Sequence, residues 1–392
     1  ESPLHKGGSE GVWKYRWLHI MTIDFSLGYD SNKESNDFLR CFWAALRKEF
    51  GKAAWNLLPL RIENKIYLGH CDIGLEHVLD ISLSYKIKGC LSAISISVDD
   101  SISDAQLQRR LKGCITHARK NIDKLEVFYL TLPLDSAICF EKSDANNLSL
   151  DDNRLMLNVY GYDLVDAKTL SSSLLKNICA WLSFDQLKYI SIEGCAFQVY
   201  SDSVRRQFGR QRKYKLKVSD SIQKYLDEFI GKPYSYEDNL SDIDKAVFLF
   251  GQGLKYDELS QMTISSLEAY NEQAILCYMS ALEVVSLKDI EPTKCECCGQ
   301  LRYSIAKRVE NLVYEVSQSK ALRKMIADFY DNRSKFVHLG TMLSEKNYTG
   351  ISIPLMNKGY GDGLIMQCTF RSADLADIVK KCIMWKIKTA NG

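Results

Sequence analysis

A change of hydrophobic period near residue 219 constrains this chain more than any other feature. Ahead of it, short β-branched runs alternate with longer runs of helical spacing. "WLHIMTIDFSLG" (17–28), "LPLRIENKIYLGH" (58–70), "VLDISLSYKIKG" (78–89) and "LSAISISVDD" (91–100) read as strands bounded by Gly, Asn and Asp. "SNDFLRCFWAALRKEF" (35–50) reads as a helix with Phe38, Phe42, Ala45, Leu46 and Phe50 on one stripe, and "SDAQLQRRLKGCITHARKNI" (103–122) as another behind a Ser-Asp cap. Strands at 125–134, 154–162 and 186–194 and a helix over roughly 164–183 complete that half. Past 219 nearly every run is helical, and Leu301, Ile305, Val309, Leu312, Val313 and Val316 form one apolar stripe. Only 347–370, with its Pro and clustered glycines, reads as a loop or small hairpin.

The pattern predicts an α+β protein. A mixed sensor-like or regulatory domain is expected over 13–218, a connecting helix or linker over 219–239, and an all-α bundle over 240–392. Residues 1–12, polar and glycine-rich, read as a flexible end. A length of 392 residues is too much for one ordinary core. The net charge of +2 is too small for general attraction to a polyanion, so any case for nucleic acid must be local. Thirteen cysteines, an odd number scattered through apolar runs, read as buried thiols in a reducing compartment, which places the chain in the cytoplasm. There is no run of about 18 apolar residues to suggest a membrane span. No glycine-rich nucleotide loop follows a strand, and no cofactor is expected.

The chemistry concentrates at "FYDNRSKFVHLG" (329–340), where Arg333 and His338 stand five positions apart at the end of a helical run. An imidazole near its ordinary pKa can take or give a proton at neutral pH. A guanidinium is permanently charged, and its fork matches phosphate oxygens. Together they suffice for metal-independent cleavage of RNA by its own 2′-hydroxyl. Asn332 and Ser334 flank the arginine, within reach of a phosphate. Five residues turn an α-helix by about 140° and advance it about 7.5 Å, so the pair does not share one stripe. Either the arginine curls toward the next turn or two copies of the helix share a cleft. The competing bland reading has His338 interacting with a helix end and Arg333 facing solvent.

"RSKFVH" fits the R-x4-H signature of HEPN ribonucleases, and its setting resembles the Apea-like HEPN branch. "SALEVVSL", with Glu283, and "LRYSIAKRVENL", with Arg308, lie upstream in the order of that family. The resemblance covers roughly 240–392 and implies a metal-independent endoribonuclease with Arg333 and His338 catalytic. It also implies cyclic phosphate ends, a homodimer with the site at its interface, and a place in prokaryotic antiphage defence or a toxin system, often against tRNA. The N-terminal half, of no recognisable family, would then answer a phage or cellular trigger. Glu283 and Arg308 read as a structural ion pair between helices. The alternative from another class is a non-catalytic HEPN-like dimerisation, adaptor or RNA-binding module.

Other candidates are weaker. Arg205, Arg206, Arg210, Arg212, Lys213, Lys215 and Lys217 form a basic run without an acid, interleaved with Phe208 and Tyr214 that could stack on bases. A solvated basic face explains it equally well. Cys295 and Cys298 have the spacing of one zinc knuckle, but zinc wants four ligands and no second pair follows, which favours incidental thiols in a turn. "GHCDIGLEH" gathers His70, Cys71, Asp72, Glu76 and His77 at a spacing that matches no compact metal motif.

Overall fold

The computed structural model describes residues 20–74, 78–99, 105–135, 138–144, 147–192, 215–230, 240–262, 267–287, 293–294, 301–302, 305–339 and 372–390. The fold is α+β, with antiparallel sheet and abundant helix. It divides into two units. The first takes residues 1–128, 159–170 and 233–238, and the second takes 129–158, 171–232 and 239–392.

In the first unit, β1 (Ile20–Ser26), β2 (Ala54–Ile62), β3 (Lys65–Asp72), β4 (Val78–Ile87) and β5 (Cys90–Asp99) make an antiparallel sheet in the order β1-β5-β4-β3-β2. Alternation decides its faces. Leu79, Ile81, Leu83 and Tyr85 of β4 are buried, while Asp80, Ser82 and Ser84 between them look the other way. Helices α1 (Asn32–Phe50) and α2 (Ala105–Asn121) close the apolar side: Phe38, Phe42 and Leu46 share one core with Ile81, Ile94, Ile96, Leu111 and Ile115. Helix α1 starts ahead of its apolar stripe because Ser31 caps it, accepting the Glu34 amide at 3.1 Å. The run 58–70 is not one strand: the chain reverses at Glu63, whose φ is 52°, and pairs Ile62 with Lys65. The Arg40 guanidinium makes a two-pronged ion pair at 2.9–3.0 Å with Asp166, in the first turn of the following helix, α3 (Leu164–Gln186).

A second sheet is ordered β10-β7-β8-β9-β6, from β6 (Glu126–Pro133), β7 (Cys139–Asp144), β8 (Leu148–Asp152), β9 (Arg154–Gly161) and β10 (Lys215–Leu216), most of whose residues fall in the second unit. The short β7 and β8 escaped the sequence reading. Of the strand expected at 186–194, Gln186 ends α3, 187–192 are irregular and 193–194 lie outside the described residues. Leu187 takes φ 51° and the Ser183 hydroxyl accepts the Ile190 amide, so the chain turns there; only Ile192 bridges to Leu134. The connecting segment expected over 219–239 opens with a helix, and 231–239 lie outside the described residues. β10 pairs with β7, and Gln223 of α4 (Asp220–Ile230) accepts from Ser143, which ties this segment to the sheet ahead of it.

Helices α5 (Asp242–Met262), α6 (Leu267–Val285), α7 (Ile305–Ser317), α8 (Lys320–Leu339) and α9 (Ser372–Ala390) pack as a bundle in this unit, with the two-residue strands β11 (Thr293–Lys294) and β12 (Leu301–Arg302) between α6 and α7. A file of rings, Trp181, Phe184, Phe250 and Tyr278, runs from α3 into the bundle at centroid spacings of 5.8, 5.3 and 5.5 Å. Buried Asp244, in the first turn of α5, accepts from Trp181 and from both the amide and hydroxyl of Ser241, while Ser241 caps the Asp244 amide in return. Gly253 lies under the Tyr278 ring: a Cβ there would come within 2.3 Å of a ring carbon. The loop 347–370 lies outside the described residues.

Two glycine substitutions separate crowding from propensity. Gly253→Ala should destabilise the protein by about 1–3 kcal/mol through overpacking. Gly113→Ala, in α2 with nothing within 4 Å of the added methyl, should stabilise it by about 0.5–1 kcal/mol. Urea titration followed by circular dichroism checks both.

Candidate functional site

Helix α8 is continuous from Lys320 to Leu339, so Arg333 and His338 stand on one helix within its last two turns. Ile326, Tyr330 and Arg333 follow each other at the three- and four-residue steps of one face, and Ile326 is fully buried. That spacing turns Tyr330 and Arg333 toward the bundle, where α6 presents Glu283. Glu283 Oε1 accepts from both: Tyr330 donates its hydroxyl at 2.7 Å, and Arg333 donates from Nη1 in a close ion pair. The Arg333 guanidinium also lies 5.7 Å from the Tyr330 ring centroid. Burial first, and then the Glu283 carboxylate, push the Tyr330 hydroxyl up to about 12, so it remains a donor across the neutral range. Arg333 Nε is buried and has no hydrogen-bond partner.

The ion pair expected between Glu283 and Arg308 is therefore not the one formed. Glu283 gives its oxygen to Arg333 and Tyr330, and among the described residues no carboxylate lies within ion-pair distance of Arg308, whose Nε is buried without a partner. The physical reason is facial: the step from Tyr330 to Arg333 brings two donors of α8 to one carboxylate, and together they take the contact.

Asn332 and Ser334 lie on α8 beside Arg333, but their side chains and that of His338 are outside the described residues. So are Arg205, Arg206, Arg210, Arg212 and Lys213; of the basic run, Lys215 opens β10 and Lys217 follows it, exposed. Cys295 and Cys298 likewise fall outside. His70 and Cys71 are neighbours on a strand and point to opposite faces, which separates them as ligands. Cys71 is buried in the core, and its thiol is pushed up to about 12 by burial. His70 meets Asp80 across the β3–β4 ladder, with the Tyr67 hydroxyl donating to the same carboxylate at 3.0 Å.

Sequence reasoning missed a cleft of about 390 Å³ in the second unit, lined by Leu175, Cys179, Tyr189, Ile192, Phe248 and Gly251 among others. Its walls come from α3, the segment after it and α5, which no local pattern joins. No helix among the described residues is long and apolar enough to cross a membrane. Compared with known proteins, the chain matches no family model, no curated protein and no solved structure at a significant level.

Removing the shared acceptor should cost more than removing its neutral donor. Glu283→Ala strands Arg333 and is expected to lower stability by about 1.5–3 kcal/mol, whereas Tyr330→Phe loses about 0.5–1.5 kcal/mol. A Glu283→Ala denaturation midpoint equal to the parent's would contradict the pairing.

Proposed function

We propose that the helical part of this chain is a metal-independent endoribonuclease of the HEPN type, with Arg333 and His338 as its catalytic residues. The observation that carries the reading is the setting of Arg333. A guanidinium on the same helix as His338 gives one terminal nitrogen to Glu283, a carboxylate that Tyr330 also holds, and keeps its second terminal nitrogen for a phosphate. In the reaction the RNA 2′-oxygen attacks the adjacent phosphorus and the bond to the 5′-oxygen breaks. His338 accepts the 2′-proton or protonates the leaving oxygen, and Arg333 compensates the charge gathering on the phosphorane. The products are a 2′,3′-cyclic phosphate and a 5′-hydroxyl. Because one helix turns the two side chains about 140° apart, the reading includes a homodimer in which two copies of α8 share the cleft. A cytoplasmic role in antiphage defence or as a toxin, with tRNA among the substrates and the N-terminal half answering a trigger, belongs to the same proposal.

A second reading, a non-catalytic HEPN-like dimerisation or adaptor module, is favoured by the same ion pair, since an arginine already engaged by a carboxylate can be purely structural. Substitution separates the two. Arg333→Ala and His338→Ala should each lower cleavage of labelled total RNA by at least about 10²-fold while the protein stays folded. Parent-like cutting by either variant removes the site assignment.

Cleavage should also persist in excess EDTA and leave cyclic phosphate ends, because arginine rather than a metal supplies the charge compensation. Strict dependence on Mg²⁺ or Mn²⁺ would place the chemistry elsewhere.

A further inference from the structure

Two guanidinium groups on neighbouring helices, Arg308 of α7 and Arg333 of α8, differ in what they meet. Arg333 takes Glu283, and Arg308 is left with a buried, unpartnered Nε and no described carboxylate within reach. A partly exposed guanidinium with no carboxylate beside it keeps its terminal nitrogens for an anion from outside the chain. Arg333 Nε has the same deficit.

The hairpin places these two deficits near each other. Helices α7 and α8 are joined by Gln318 and Ser319 alone, so they run antiparallel and side by side. Two contacts fix the stagger: Arg323 of α8 pairs with Glu310 of α7 at 3.3 Å, and its guanidinium lies 6.0 Å from the Tyr314 ring centroid. Continuing that stagger sets Arg308 across from a point on α8 about six residues before Arg333, an axial offset of roughly 9 Å, which two arginine side chains span. On α7, Arg308 sits one turn from buried Leu312, so it belongs to the side of the helix that faces its neighbours. Glu283 neutralises Arg333 and leaves Arg308 without a described counter-charge.

We infer that Arg308 is a second phosphate contact, holding an RNA phosphate next to the one engaged by Arg333. This rests on the ribonuclease reading above for the identity of the polyanion. Arg308 touches no reacting atom in this scheme; it binds and sets the register of the strand.

The test uses the full chain and a fluorescent single-stranded RNA carrying 2′-O-methyl groups throughout, which cannot be cut. Binding is measured by anisotropy over a range of KCl. Arg308→Gln should weaken binding by about tenfold. It should also flatten the slope of log K against log salt by about 0.7, the loss of one phosphate contact. Arg308→Lys should restore the slope and part of the affinity, because the charge returns without the fork. On cleavable RNA, Arg308→Gln should raise KM more than it lowers kcat, the reverse of Arg333→Ala. Parent-like affinity and salt slope in Arg308→Gln, while Arg333→Ala and His338→Ala abolish cutting, would overturn the Arg308 contact and leave the nuclease reading standing. Arg308-dependent binding in a protein that cuts no RNA would do the opposite. A parent that does not bind the probe overturns this contact outright. If Arg308→Gln fails to fold, the lysine variant decides: full parent affinity there, with an unchanged KM, counts against the fork.

Discussion

The helical unit depends on one close approach, the seating of the Tyr278 ring on Gly253. Helix α5 supplies both halves of the seat. Gly253 offers a surface without a Cβ, and Asp257, one turn on, accepts the tyrosine hydroxyl at 2.5 Å. Burial raises the Asp257 carboxyl, and burial together with that carboxylate lifts Tyr278 well above the usual tyrosine range. The ring thus fixes the spacing and, through its hydroxyl, the rotation of α6 against α5. Everything α6 presents to the rest of the bundle follows from that rotation, including Glu283.

Glu283 in turn neutralises Arg333. A single oxygen collects a neutral donor and a charged one from successive turns of α8, an arrangement that orients the guanidinium by Nη1 while its Nε stays unsatisfied. A half-buried cation held on one edge differs from an ordinary surface pair, because screening does not remove its field and the fork keeps one side unused. The same contact leaves Arg308 without its anticipated partner. That Arg333 and not Arg308 is paired with Glu283 comes from packing geometry.

The first unit shows a different economy. Its sheet is apolar on the helix side and carries Asp80, Ser82, Ser84, His70 and Tyr67 on the other, so polar contacts such as His70 with Asp80 are cross-strand pairs on the outer face. The buried Arg40–Asp166 pair joins α1 to the start of α3, two elements more than a hundred residues apart in the chain. Its worth lies in geometry, since the desolvation of both groups offsets much of the attraction.

Periodicity by itself determined the α+β class, the apolar stripes of α1 and α7, and the helices after residue 219, because burial of one face imposes a 3.6-residue or two-residue repeat that survives in any one segment. It also placed Arg333 and His338 on a common helix. It did not show the reversal at Glu63, which depends on a single positive φ, or the short β7 and β8, which are too brief to carry a period. The strand expected at 186–194 was apolar enough to pass, but a hydroxyl on the preceding helix captured its backbone. Only tertiary structure decided that Glu283 meets Arg333 and Tyr330 rather than Arg308. The choice turns on the rotation of α6 set by Tyr278 on Gly253, and no local spacing encodes the rotation of one helix against another.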